Sequence, residues 1–170
     1  YLILRYLHDH LDAKRTLIIV PTISLVTQLA SDFASYGYDS DTNVHRIFAG
    51  EDKHTDRPVV ISTWQSLYKM PSKYFEQFDV VIGDEAHQFK AKSLTDIMTG
   101  LTKAKWRIGT TGTLDGTKTH KLVLEGLFGP VKKVTTTKEL MDQKHLAYLT
   151  IICLLLKHTN SVCKEKKKST

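Results

Sequence analysis

Phe78-Asp79-Val80-Val81-Ile82-Gly83-Asp84-Glu85-Ala86-His87 is the stretch on which the fold turns. An apolar run stops abruptly at two adjacent acids, and a histidine follows two residues after the second. A short, continuous apolar run reads as a strand buried on both faces, the kind of strand that parallel sheets contain. Its carboxyl end then presents Asp84 and Glu85 to a cleft, because open α/β sheets bind ligands beyond the carboxyl ends of their strands. Two carboxylates placed there carry a desolvation cost unless a cation meets them. The pattern points to Mg²⁺ on a nucleotide, held by Asp84 through water, while Glu85 orients and deprotonates an attacking water. His87 is either a polar coupler to that site or a hydrogen-bonded structural histidine.

Upstream, residues 2–11 carry apolar side chains near helical spacing, and Asp12-Ala13-Lys14 breaks the pattern. Residues 16–20 form a short apolar strand. Pro21-Thr22 turns the chain into an amphipathic helix over 24–36, with Leu25, Leu29 and Phe33 on one face and Gly37 as its stop. Residues 44–48 are a weaker strand and 51–57 a polar loop. Residues 59–62 are a strand that runs into a short helix near Thr63, interrupted by Pro71. Downstream, 93–101 is helical and 106–110 is a strand. Residues 120–127 are helical, and Gly129-Pro130 ends that helix. Residues 131–134 and 147–156 read as later strands, with a helix over 138–143 between them. Strands alternating with helices imply a mostly parallel sheet with helices on both faces.

Three loops follow three of these strands and should share one edge of the sheet: Pro21-Thr22, Asp84-Glu85-Ala86-His87 and Thr111-Gly112-Thr113. The last triplet is by itself only a turn. Beside two acids, its hydroxyls could bond the acidic loop and transmit the state of a γ-phosphate across the hinge at Gly112. The stretch from Pro21 to Gln28 joins a strand end to a helix start, and helix N-termini attract phosphate. Thr22 and Gln28 are therefore read as contacts to a nucleic-acid backbone, with ordinary helix capping by Thr22 or Ser24 as the alternative. Ser62-Thr63-Trp64-Gln65-Ser66-Leu67 is a second such corner, in which Trp64 is either core or a base-stacking platform. Phosphate contacts from both corners would bind without reading sequence.

The chain has 170 residues, enough for one domain with a sizeable core. A formal charge of +6 suggests an anionic partner, although part of it sits in Lys164-Glu165-Lys166-Lys167-Lys168, a run that reads as a solvated end. Cys153 and Cys163 have no metal-type spacing and read as reduced thiols of a cytosolic protein. The apolar run 149–156 falls far short of the roughly 20 residues needed to span a bilayer. The chain has no initiator Met, begins as if inside a helix and ends as an apolar strand running into a basic stub. It is expected to be a piece of a larger protein.

In order and content these motifs resemble those of DEAH-box-type superfamily 2 DNA helicases, in their first RecA-like domain. The Pro21 to Gln28 stretch resembles motif Ia. Gly50 and the Ser62 to Leu67 stretch, with Thr63 and Gln65, resemble the Ib region. Asp84 to His87 resembles motif II, and Thr111-Gly112-Thr113 motif III. The phrases Ile61-Ser62-Thr63-Trp64-Gln65-Ser66-Leu67 and Gly126-Leu127-Phe128-Gly129-Pro130-Val131 are similar to those of the UvsW-type helicases of T-even phages. Restriction-enzyme translocase subunits and excision-repair helicases share the same motifs. The resemblance covers residues 2–156.

It implies an α/β, RecA-like P-loop NTPase domain over residues 1–157, with 158–170 a basic tail or the start of a linker to a second RecA-like domain. It implies ATP and Mg²⁺ as cofactors and DNA as partner, branched or single-stranded, together with the RNA–DNA hybrids of R-loops. A cytoplasmic location, in a bacterial host if the gene is a phage's, goes with it. On this pattern Asp84, Glu85 and His87 are catalytic, and Asp84 also holds the metal. Thr111, Gly112 and Thr113 couple hydrolysis to movement. Pro21, Thr22, Gln28, Gly50, Thr63 and Gln65 face nucleic acid.

The departures are as informative. No Gly-Lys-Ser or Gly-Lys-Thr occurs in the chain. The family's phosphate-binding loop and the inner strand feeding it are expected upstream of Tyr1, and the arginine fingers in the second domain. The chain alone is expected not to hydrolyse ATP, since an arginine finger by itself is worth about 10³–10⁵ in rate. It is expected to be marginally stable, because a missing inner strand leaves unpaired backbone on its neighbours. Two further readings stay open: a non-catalytic nucleic-acid-binding module that keeps the fold, and a Mg²⁺-dependent phosphohydrolase on an unrelated α/β sheet.

Overall fold

The computed structural model describes residues 1–48, 51–88, 91–112, 118–148 and 152–155. By its internal contacts the chain falls into two units, Tyr1–Val131 and Lys132–Thr170. In the first unit α1 (Leu2–His10) leads to β1 (Thr16–Val20), α2 (Ile23–Ser35), α3 (Ser40–Asn43), β2 (Val44–Ile47) and β3 (Val59–Thr63). There follow α4 (Trp64–Leu67), α5 (Ser72–Phe75), β4 (Val80–Gly83), a single 3₁₀ turn (Ala86–Gln88), α6 (Ala91–Gly100), β5 (Trp106–Gly109) and α7 (Lys118–Phe128).

The strands form one sheet in the order β2-β3-β1-β4-β5, and every pairing is parallel. β1, β3 and β4 are buried along their whole length. Alternate side chains of these strands feed two cores. Leu17, Ile19, Val60 and Val81 pack with Leu67, Phe75, Phe78 and Met98 under α4, α5, α6 and α7. Ile18, Val20, Ile61 and Ile82 pack with Leu4, Leu7, Val26 and Phe33 under α1 and α2. Burial on both faces is why β1, β3 and β4 read as unbroken apolar runs rather than alternating ones. Each fully buried side chain of this size contributes about 1.5–3 kcal/mol. β5 lies at one edge, and Trp106, Arg107 and Ile108 are only half-buried.

The expected strand and helix positions hold among the described residues through residue 128, with α3, α5 and the 3₁₀ turn as unexpected extra turns. The polar loop at 51–57 is pinned rather than loose: the Tyr74 hydroxyl donates to Lys53 O at 2.9 Å and the Arg15 guanidinium to Thr55 O. Burial pushes the Tyr74 pKa up to about 12.

The second unit contains α8 (Thr137–Asp142). Thr136 Oγ1 accepts from Glu139 N–H at 3.1 Å while the Glu139 carboxylate accepts from Thr136 N–H at 2.6 Å. This reciprocal pair is a capping box, and it accounts for the helix expected at 138–143. Neither later strand is found among the described residues. Residues 131–134 are irregular, and so are 147–148 and 152–155, the described part of the second run. Apolar residues alone do not make a strand. It exists by exchanging main-chain hydrogen bonds with a neighbour, and among the described residues these runs have none. No helix among the described residues is long and apolar enough to cross a membrane.

Candidate active site at the carboxyl edge of the sheet

Because every strand runs the same way, the exits of β1, β3, β4 and β5 lie on one edge. The acidic corner is built first by register. β4 pairs with β5 through Gly83↔Gly109, and the ladder continues one residue further, with Thr110 N–H donating to Gly83 O at 2.8 Å. On its other side Asp84 N–H donates to Ile19 O of β1 at 2.9 Å. Ala86 N–H reaches back to Thr110 O at 3.0 Å. Glu85 is caught between these bonds at φ 49°, a left-handed conformation unusual for a non-glycine residue. Such strain persists where the surroundings over-determine it.

Gly109 sits between the Phe128 ring and the acid turn. A Cβ there would lie 3.1 Å from the Phe128 ring and 3.5 Å from Ala86 Cβ. A side chain there would crowd the Phe128 ring, which would have to give by a few tenths of an ångström.

Asp84 and Glu85 are both half-buried. Asp84 Oδ1 accepts from the Glu85 N–H at 3.0 Å and from the Thr110 hydroxyl at 2.8 Å. His87 Nδ1 lies 2.6 Å from Thr111 Oγ1 and 3.2 Å from Glu85 Oε2. A carboxylate at that distance favours the Nδ1–H form, so the imidazole donates toward both oxygens. His87 thus joins the acidic loop to the loop after β5. A cavity of about 210 Å³ on the α1–α2 side is walled by Tyr1, Ile18, Phe33 and Ile82 and reaches Asp84 and Thr110.

The donors at this corner suit Mg²⁺. It takes hard oxygen ligands, usually one or two carboxylates, and leaves its other positions to water and phosphate. Among the described residues no cluster of three or more acids, histidines or cysteines could hold a metal. The adjacent pair Asp84 and Glu85, with Asp84 Oδ2 free of hydrogen bonds among the described residues, is the smaller set that Mg²⁺ uses.

The other two corners are built differently. Thr22 Oγ1 accepts from Leu25 N–H at 3.4 Å and so caps α2. Gln65 Nε2 donates to Pro21 O at 3.4 Å, tying the start of α4 to the exit of β1. Thr22, Gln28 and Gln65 face solvent, whereas Pro21 and Thr63 are buried. The Thr63 hydroxyl is spent on Ser66 Oγ at 3.0 Å. Pro21 and Thr63 therefore shape their corners from inside. Trp64 packs partly buried against the core and meets Tyr68 edge-on, which favours its core reading. Gly50 and Thr113 lie outside the described residues, while Gly112 is exposed.

The residue that sequence reasoning missed is Thr110. Both Gly83 and Gly109 are followed by a polar residue, and aligning the two glycines places Thr110 beside Asp84. That alignment was the available signal.

A parallel sheet with paired acids beyond a central strand and hydroxyls beyond its neighbour is the architecture of a RecA-like domain. Residues 1–116 match the family described as type III restriction enzyme, res subunit, and the chain belongs to that family. It is 34% identical over 99% of its length to the ATP-dependent DNA helicase UvsW of Enterobacteria phage T4, covering 34% of that protein. It is 30% identical over 90% of its length to the DNA 3′-5′ translocase XPB2 of Sulfurisphaera tokodaii, covering 33% of it. A crystal structure of T4 UvsW superposes with a TM-score of 0.68 at 37% identity, over 79% of this chain and 28% of that one. The chain thus spans about a third of the length of the curated relatives it matches.

Proposed function

We propose that this chain is part of an ATP-dependent DNA motor, a helicase or translocase, and carries the acidic corner of its nucleotide site while being inactive alone. The observation that carries the reading is the shared carboxyl edge: acids, coupling hydroxyls and two strand-to-helix corners lie on it together. Asp84 holds Mg²⁺, through water, by its carboxylate. Glu85, preset by its left-handed backbone, orients the attacking water and takes its proton. Bound with the nucleotide, Mg²⁺ supplies charge neutralisation on the transferring phosphoryl group. His87 relays the position of Glu85 to Thr111, and Gly112 and Thr113 carry it on as the coupling loop. Thr22, Gln28 and Gln65 contact the DNA backbone, with Pro21 and Thr63 setting the turns, and Gly50 shares that role by its motif.

In this reading residues 1–157 are the helicase ATP-binding domain, and 158–170 are a basic tail or the start of a linker. Branched DNA and the RNA–DNA hybrids of R-loops are the substrates of the complete motor in this reading; similarity to a DNA helicase supports DNA as the partner. The family description and the similarity to XPB2 favour a second version of the same motor, a translocase subunit of a restriction-type enzyme. ATP turnover by the protein expressed from the complete gene, with and without DNA, tests the reading. DNA-stimulated turnover that Glu85→Gln abolishes supports it; turnover that survives the substitution overturns the role of Glu85. Strand separation on a forked duplex, against movement on intact duplex, distinguishes helicase from translocase.

A further inference from the structure

Thr110 precedes the Thr111-Gly112-Thr113 loop and is tied to the acidic corner through three atoms. Its N–H donates to Gly83 O, its carbonyl accepts from Ala86 N–H, and its hydroxyl donates to Asp84 Oδ1. The two main-chain bonds fix where its Cα sits, so the hydroxyl reaches Asp84 from an immobile base. Gly83 O competes for the same hydroxyl proton at 3.4 Å. Asp84 wins, being closer at 2.8 Å and charged.

With the Glu85 N–H as its second donor, Asp84 Oδ1 is doubly occupied, while Oδ2 accepts nothing among the described residues. A carboxylate held by one donor turns readily, because its terminal torsion is broad. One held by two donors on the same oxygen presents the other oxygen in a fixed direction. We propose that Thr110 is a positioning residue, whose hydroxyl locks the Asp84 carboxylate so that Oδ2 is the oxygen offered to a divalent cation. This rests on the assignment of Asp84 to Mg²⁺. It concerns a residue outside the acidic tetrapeptide and outside the coupling triplet.

The test titrates Mn²⁺ into the 170-residue chain and follows paramagnetic broadening of the backbone amide signals of residues 84–86 and 110. In the wild type the broadening centres on Asp84, and Asp84→Asn removes it. Thr110→Val keeps the shape and loses the donor, and should weaken Mn²⁺ about tenfold, the lower end of what loss of an orienting partner costs. Thr110→Ser keeps the donor and should stay within about twofold of the wild type, far from that loss. Thr110→Ala removes the same hydroxyl should valine not be accommodated. The ¹³Cγ shift of Asp84, read without metal, should move in Thr110→Val and Thr110→Ala but not in Thr110→Ser.

Mn²⁺ affinity unchanged in the hydroxyl-free variants, or serine as weak as valine, overturns the positioning role while leaving the metal assignment intact. Broadening absent from Asp84 in the wild type, or persisting in Asp84→Asn, overturns the metal assignment and the positioning role with it.

Discussion

Asp79 and Asp84 bracket the same strand, one just before its first residue and one just after its last, and the structure uses them differently. Asp79 Oδ2 accepts the N–H groups of Lys14 and Arg15 at 2.9 and 3.1 Å. Its own N–H donates to Arg15 O, and its carbonyl accepts from Lys105 N–H at 2.8 Å. It is a splint that joins the entrances of β1, β4 and β5. Asp84 takes its donors from a neighbouring amide and a side-chain hydroxyl, stands next to a second acid and borders a cavity. The identity of the side chain does not separate a structural carboxylate from a chemical one. The source of its donors and the neighbouring charge do.

The sharpest way to break this comparison is Glu85→Gln in the protein from the complete gene. Loss of the water-orienting base should lower ATP turnover by about 10²–10⁴-fold. DNA affinity, measured in the same preparation, should be unchanged, because the residues proposed to contact DNA lie on the other two corners. An equal loss of DNA binding would show that the acidic and polynucleotide corners are not separate.

Next in size is the contrast between the two aspartates. Asp79→Ala strips the partner from two amides and should cost about 2 kcal/mol of stability, as for hydrogen bonds to a charged group. Asp84→Asn should shift stability by less than about 1 kcal/mol while abolishing Mn²⁺ binding. Thermal melts read with the Mn²⁺ titration check both. An Asp84→Asn protein that melts as early as Asp79→Ala would make Asp84 another splint.

A smaller effect is expected at the α2 corner. Thr22→Ala removes the N-cap and should cost about 1 kcal/mol. It should also weaken DNA binding by a similar factor at every salt concentration, since a neutral hydroxyl releases no counterions, without altering DNA-independent ATP turnover. A full affinity at low salt would reduce Thr22 to a cap alone.

The smallest effect belongs to the entrance edge, at His8. Its Nε2 lies 2.8 Å from Thr16 Oγ1 at the start of β1. Burial holds its pKa below the ordinary 6.5, with Asp9 and Asp79 pulling upward and Arg5 downward. The unfolded chain therefore takes up this proton more readily than the folded one. Stability from His8 is complete above 6.5 and is lost as the pH falls from there through the folded value. Melts from pH 7.5 to pH 5 should show a drop that His8→Gln flattens.

The fold was legible where burial is two-sided. Leu17-Ile18-Ile19-Val20 and Val80-Val81-Ile82 have no polar face to offer water, so they had to become inner strands. It was illegible at 131–134 and at the described residues 147–148 and 152–155, where apolar composition is equally clear but strand formation waits on a partner. That the acids, the loop after β5 and the strand-to-helix corners share one edge could be expected from motif order along the chain. Thr110 could not be found that way, because its role depends on β4 and β5 pairing in one register. The burial of Pro21 and Thr63 was hidden for a similar reason: a corner's inner and outer residues are sorted only when the helices pack.

From composition and order alone came a parallel α/β domain with two carboxylates at a strand exit, since hydrophobic periodicity and chain direction are local properties. Only the tertiary structure decided which oxygen of Asp84 is left open, which hydroxyl holds it and why Asp79 is inert. Those outcomes depend on hydrogen bonds between residues 26 and 64 positions apart in the chain, and such bonds exist only once the sheet has closed.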